Sequence, residues 1–367
     1  MARITKANAK GERVLTLREL NRALLERQLL LARQRLTVPR AIERLCALQA
    51  QYAPSPYIAL WSRLTGFRKE QLTRALEDRK AVKSSLFRIT LHITSARDYP
   101  YYAAAWLPAA REMTPRVTVE RMAELSRKVH AAAQKQITHE QLEAIAAEEM
   151  GGRWRTRTLA PLLHVPPAGT WGFHGRPELL VLDVWLGVDL PARDEGAKHF
   201  VRSYLSAFGP ATQQDLLRFA GVRVGDLRPG LESLELRRFR DERGRELLDL
   251  RRTPLPDGDT PAPVRFLPKW DSSLLAYAPP ERTRILPEKF RSTVIRKNGD
   301  VLPTVLVDGF VAATWNVDKK RGLELEPLRR LTKAERVEID DEKVRAARRL
   351  ATREEEREGE HHSSAVQ

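Results

Sequence analysis

Between Thr16 and Thr94 the spacing of apolar residues changes from helical to alternating, and this switch restricts the fold more than any other feature of the chain. Thr16-Leu17-Arg18-Glu19 has the form of a capping box, which predicts a helix from there to about Ala32 with Leu17, Leu20, Leu24 and Leu25 on one face. Val38 to Leu48 reads as a second helix, Ala50 to Pro56 as a break imposed by Pro54 and Pro56, Tyr57 to Leu64 as a third helix and Glu70 to Arg79 as a fourth. The β-branched, partly alternating run from Ala81 to Thr94 predicts a strand pair. Helix, short strand, two helices and a hairpin is the order of a winged helix.

A related pattern recurs twice. Thr138-His139-Glu140-Gln141 caps a helix expected to reach Met150, followed by the basic segment Arg153-Trp154-Arg155-Thr156-Arg157, a second helix ending near His164 and a wing strand at residues 170–173. Thr212, with Asp215 three residues on, caps a helix over Gln213 to Ala220. From Leu234 the texture turns to short strand candidates at Glu246 to Leu250, Val264 to Leu267, Val301 to Val307 and Phe310 to Trp315, the last two joined by Asp308-Gly309. The expected fold is therefore α+β, with tandem winged-helix (helix-turn-helix) domains followed by a small C-terminal β-barrel. The domain limits expected are 12–125, 126–195, 196–233 (helical part), 234–328 for the barrel, and 329–367 for an exposed charged helix with a disordered tail.

Helix-turn-helix modules suggest nucleic acid, and the charge agrees. Lys and Arg total 64 against 48 Asp and Glu, a net charge of +16 that favours a polyanionic partner. Cys46 is the sole cysteine, so internal disulfides and cysteine zinc sites are excluded, and its apolar surroundings make it a small buried hydrophobe. No signal peptide and no apolar run of membrane-spanning length is present, so a cytoplasmic, nucleoid-associated protein with no membrane partner is expected. His361 and His362 read as tail rather than metal ligands, and no metal or organic cofactor is implied.

Three stretches carry a family resemblance. The first is Leu45-Cys46-Ala47-Leu48-Gln49-Ala50-Gln51 with Pro56-Tyr57-Ile58-Ala59-Leu60-Trp61-Ser62-Arg63, similar to a Gln-apolar-Gln motif and the tryptophan helix after it. The second, Arg88-Ile89-Thr90-Leu91-His92, is similar to Arg-Gly-Thr-Leu-His, with Ile89 in place of the glycine. The third joins Leu267-Pro268-Lys269-Trp270-Asp271-Ser272 to Arg284-Ile285-Leu286-Pro287, Arg296-Lys297-Asn298-Gly299 and residues 304–309. Across residues 15–325 the chain resembles the bacterial winged-helix DNA glycosylases of the AlkZ and YcaQ type. Gln51, where the other branch carries Asp, implies the branch that unhooks interstrand crosslinks. The resemblance implies a glycosylase acting on double-stranded DNA with alkylated (N7/N3) purines.

Residues i and i+2 of an extended segment point the same way, so Gln49 and Gln51 can converge while Ala50 faces the core. Spacing alone would favour two surface residues at a helix end; the family match reverses that in favour of the catalytic reading. A glutamine amide is no general base. A purine alkylated at N7 or N3 already carries positive charge and leaves as a neutral base, so the protein must only place a water and stabilise an oxocarbenium-like cation, which amide dipoles can do. Arg63, Arg88, Thr90, His92, Arg153, Arg155 and Arg157 are the expected DNA-binding residues. No lysine stands beside the pair in sequence, which predicts base release without strand cleavage, and a monomer is expected. The competing reading is a non-enzymatic winged-helix regulator, which the fold alone would favour and which gives the glutamine pair no role.

Overall fold

A computed structural model describes residues 12–114, 117–279, 281–318 and 321–350. The basic residues 1–11 and the tail bearing His361 and His362 lie outside the described residues.

The N-terminal helix is Leu17–Arg27, with the Thr16 and Glu19 capping box formed. Leu20, Leu24 and Leu25 are buried and Leu17 is exposed. The helices Val38–Leu45, Pro54–Arg63 and Lys69–Glu77 follow, and then the hairpin strands Ala81–Leu86 and Thr90–Ser95. This hairpin does not stand alone. An antiparallel six-stranded sheet runs Leu48–Gln49, Thr90–Ser95, Ala81–Leu86, Leu162–His164, Glu178–Val181, Ile137–Thr138, so hairpins from residues 12–125 and 126–195 form one continuous sheet. They are joined where Lys83 pairs with His164 and Ser84 with Leu163. His164 therefore ends a strand, where a helix end was expected, and residues 170–173 form a turn where a wing strand was expected; the basic segment itself forms the short helix Arg153–Thr156, and no second helix follows it before His164. Pairing with a strand some eighty residues earlier decides the matter, which local periodicity does not register.

Behind the sheet lies a helical layer. Arg193–Phe208 packs along Tyr99–Glu112 and Val224–Glu232. Gly230 permits the second contact, because a Cβ there would stand 2.5 Å from the Ala197 carbonyl oxygen. The largest core cluster is aromatic, with Phe87, Tyr102, Phe200, Tyr204, Phe208 and Phe219 stacked or tilted against one another.

The expected barrel over 234–328 is instead two separate sheets. Leu236–Asp241 and Glu246–Leu250 pair with each other, and the first also pairs in parallel with Val14–Leu15 at the N-terminus. Arg265–Leu267, Thr304–Val307, Phe310–Asp318 and Gly322–Pro327 form an open antiparallel sheet with the first and last at its edges. Capture of the 236–250 hairpin by residues 14–15 leaves four strands in this sheet. The Asp308-Gly309 turn takes φ of 49° and 81°, as a two-residue hairpin loop requires. The charged C-terminal helix, Lys333–Leu350, is not free of the fold: Ile339 and Ala346 are buried on that sheet with Leu331, while Val337 and Val344 are exposed.

Candidate active site

Leu48–Gln49 is the edge strand of the six-stranded sheet, with Gln49 opposite His92. The Ala50 N–H donates to the Leu91 carbonyl at 2.7 Å, which keeps the chain extended one residue further. Ala50 turns inward, Gln51 is exposed, and the Gln49 Nε2 donates to the Gln51 Oε1 at 2.9 Å. The two amides thus converge on one side of the strand.

Gln49 lines a crevice of about 10 Å³ together with Gln28, Ser55, Arg63, Lys269 and Asp271. That is about the room one water occupies. The Ser55 hydroxyl is buried there without a hydrogen-bond partner. Sequence reasoning passed over Ser55, whose only signal was its place at the start of the helix that follows the glutamines. Past Tyr52 a hollow of about 940 Å³ opens, walled by Trp171, Trp315, Lys269, Arg296 and Lys343 among others. Tyr52 is 40% exposed at its rim.

The expected DNA-binding residues divide in two. Arg63 is only 1% exposed and lies inside the protein: its guanidinium binds Asp271 through both Nη atoms at 3.0 and 2.9 Å, and its Nε donates to the Gln28 carbonyl at 3.0 Å. Its assignment as a phosphate contact is therefore corrected, since exposing it would break a buried ion pair, a change that costs about 3–5 kcal/mol. Arg63 and Asp271 instead wall the crevice. His92 is likewise buried, against Phe87 in an edge-to-face contact, with its Nδ1 3.0 Å from the Thr90 carbonyl oxygen. Burial first, then the Arg88 charge, hold its imidazole down at about 3, so it stays neutral and does not meet DNA.

Thr90 is half-buried and its hydroxyl donates to the Phe87 carbonyl. Arg88 is partly exposed, with its guanidinium on the ring and carbonyl oxygen of Phe219. Arg88 and Ile89 both take positive φ, 58° and 55°. The glycine of the family pattern would sit at Ile89 without strain, whereas a β-branched residue there costs about 1–3 kcal/mol. Arg153 is exposed and 3.3 Å from Glu143, Arg155 donates to the Met113 carbonyl, and Arg157 lies over the Trp154 ring at 4.3 Å. These three cluster by the helix Arg153–Thr156, and Arg157 is close enough to Lys83 to disfavour its charge.

One expectation fails. A lysine does stand by the pair, for Lys269 lines the same crevice as Gln49. Its ammonium is bound to Asp300 at 2.9 Å and rests over Trp270, whereas attack on an aldehyde needs a free amine. Among the described residues, no group of three or more His, Cys, Asp or Glu side chains is placed to hold a metal ion, and no helix is long and apolar enough to cross a membrane.

Comparison with known proteins bears on this geometry. A curated relative, an interstrand DNA cross-link repair glycosylase from Streptomyces sahachiroi, is 25% identical over 328 residues, spanning 80% of this chain and 85% of the relative. The solved structure of the Streptomyces sahachiroi DNA glycosylase AlkZ superposes with a TM-score of 0.77 over 92% of this chain and 97% of its own, at 21% identity, so the two share a fold. The family model for AlkZ-like DNA glycosylases matches residues 42–349, a span that holds both glutamines, the Arg88 to His92 turn and the Lys269 to Ser272 segment. The chain belongs to the AlkZ-like DNA glycosylase family.

Proposed function

We propose that this protein is a monofunctional glycosylase that hydrolyses the N-glycosidic bond of purines alkylated at N7 or N3 in duplex DNA, acting as a monomer. The observation that carries the reading is the hydrogen-bonded Gln49 and Gln51 pair at a crevice with room for one water. In this scheme a Gln amide oxygen orients the water toward C1′ of the sugar, and the amide dipoles stabilise the oxocarbenium-like cation as the cationic purine departs neutral. The Ser55 hydroxyl supplies a third polar contact to that water. Residues 12–125, 126–195 and 196–233 act as winged-helix modules that grip the duplex, with Arg88 and the Arg153, Arg155 and Arg157 strip on phosphates.

The hollow beyond Tyr52 gives room for a bulky substituent on the lesion, and the cross-link repair relative supports extending the substrate range to interstrand crosslinks. The test is single-turnover incubation with a duplex containing one N7-methylguanine. Free base and alkali-labile abasic sites are expected, with no strand break before alkali and no covalent adduct on borohydride treatment. A borohydride-trapped adduct would contradict the monofunctional mechanism, and intact lesions would contradict the glycosylase reading of this substrate.

A further inference from the structure

One cluster of arginine side chains, Arg88, Arg218 and Arg282, lies outside the glutamine site. Arg88 projects from the left-handed turn before the strand that carries His92. Arg218 is exposed on the helix Gln213–Ala220, one residue before the Phe219 whose carbonyl and ring hold Arg88. Gly221 closes that helix in the left-handed conformation, and a Cβ there would come within 3.2 Å of the Arg88 Cα, so only glycine lets the turn seat so tightly. Arg282, on a third segment, is close enough for its charge to act on Arg88. It sits on the turn Glu281–Arg284, its Nε donates to the Tyr277 carbonyl at 2.9 Å, and its segment is tied to the helix by the Ala278 N–H, which donates to Asp215 at 2.8 Å.

Burial first, then the nearby guanidiniums of Arg282 and Arg218, disfavours the charge of Arg88, and burial, then Arg218, that of Arg282. Among the described residues no carboxylate forms an ion pair with any of them. The nearest acid, Asp215, is buried and already accepts bonds from the Thr212 N–H, the Thr212 hydroxyl and the Ala278 N–H. Arg291 belongs to the periphery and is paired with Glu288 at 2.7 Å. Some arginines elsewhere are matched, as Arg251 is with Glu235 and Arg193 with Asp226. Like charges gathered from three separate segments repel unless an anion joins them. Guanidinium forks fit phosphate oxygens in particular.

We propose that Arg88, Arg218 and Arg282 form a clamp for a single backbone phosphodiester of the DNA. This rests on the glycosylase reading for its partner but uses none of the glutamine chemistry. From Arg88 the chain reaches His92 in four residues, and His92 is paired with Gln49. At about 3.3 Å per residue and about 5 Å across the pair, the clamp stands roughly 10–15 Å from the catalytic pair. It therefore holds the backbone about three or four base steps from the lesion, at about 3.4 Å per step.

The experiment uses the full chain and a fluorescent duplex carrying one N7-methylguanine. Affinity is measured against salt for the wild type, for Arg218→Gln with Arg282→Gln, and for Arg251→Gln as a control of equal kind elsewhere on the surface. The double variant should lower the log-log salt slope by about 1 and weaken binding about tenfold at moderate salt, with Arg251→Gln unchanged. Single methylphosphonate substitutions along each strand should weaken wild-type binding at one position about three or four steps from the lesion, and that dip should vanish in the double variant. Inorganic phosphate at matched ionic strength should not compete; if it does so at low millimolar concentration and no methylphosphonate position matters, the cluster is a free-anion site and the clamp is overturned. An unchanged slope and dip in the double variant also overturn it, whatever the excision assay gives. Loss of excision in the wild type with the dip present would instead remove the glycosylase reading and leave the clamp. Arg218→Lys with Arg282→Lys keeps the charge and should restore the slope, which separates charge from folding.

Discussion

Gln49 and Gln51 differ in what surrounds them, and that difference sets what each replacement should do. Gln49 is 6% exposed and backed by the crevice, while Gln51 faces solvent. Changing either to Ala should slow single-turnover excision by about 2–4 kcal/mol of barrier, about what one preorganised polar group is worth, and leave DNA affinity unchanged. The double change should be less than additive because both act on one water. Gln51→Asp should keep or raise the rate on N7-methylguanine, since a carboxylate is the better base and cation stabiliser. Wild-type rates in both Ala variants would move the active site elsewhere. Ser55 gives a further prediction. No protein group bonds its buried hydroxyl, which leaves it to the water placed in the crevice, so Ser55→Ala should slow excision while DNA affinity stays unchanged. Full single-turnover excision in Ser55→Ala would remove it from the site.

At the scale of elements, the seam of the six-stranded sheet is its least comfortable place. Lys83 and His164 face one another across it, on a row that passes from the Leu48 and Ile93 core to the Leu179 and Ile137 core. Burial and Arg157 push the Lys83 ammonium down to about 8, and burial with neighbouring cations holds His164 well below its usual value. The unfolded chain therefore binds more protons between about pH 8 and 10.5, so wild-type stability should rise over that window. Lys83→Met should remove the rise and stabilise the protein near neutrality; an unchanged pH profile in thermal melts would refute this. His92 and His139, held at about 3 and about 4, stay neutral when folded, so stability should fall as pH drops below about 6.5.

The same elements show what the sequence could and could not disclose. Helix starts at Thr16, Thr138 and Thr212 were legible because a capping box is local chemistry. The strand at His164, the pairing of residues 14–15 with 240–241 and the docking of the C-terminal helix were not, since each depends on a partner far along the chain. The glutamine pair was legible through its motif, whereas Arg63 and His92 were misjudged because residue type carries charge but says nothing of burial.

For the whole molecule, the edge strand that carries Gln49, the Arg88 turn and the strands of residues 162–181 belong to one hydrogen-bonded sheet, braced by the Tyr99–Glu112 helix, which in turn packs on Arg193–Phe208. A rotation between the first two modules would have to break the Lys83 to His164 pairing and pull the hydrophobic cores on either side of it away from each other. The protein thus presents its contacts at a fixed angle, and adjustment on binding falls to the nucleic acid. Fitting a stiff duplex to a stiff surface costs bending energy that varies with local sequence, lowest at pyrimidine–purine steps. Excision under subsaturating conditions should then be faster for N7-methylguanine flanked by TA or CA steps than for the same lesion beside an A-tract, with the difference in KM rather than in the single-turnover rate. Equal KM values across such contexts would mean that the sheet yields instead. Through that rigidity, an enzyme that reads a lesion would acquire a preference for the pliancy of the sequence around it.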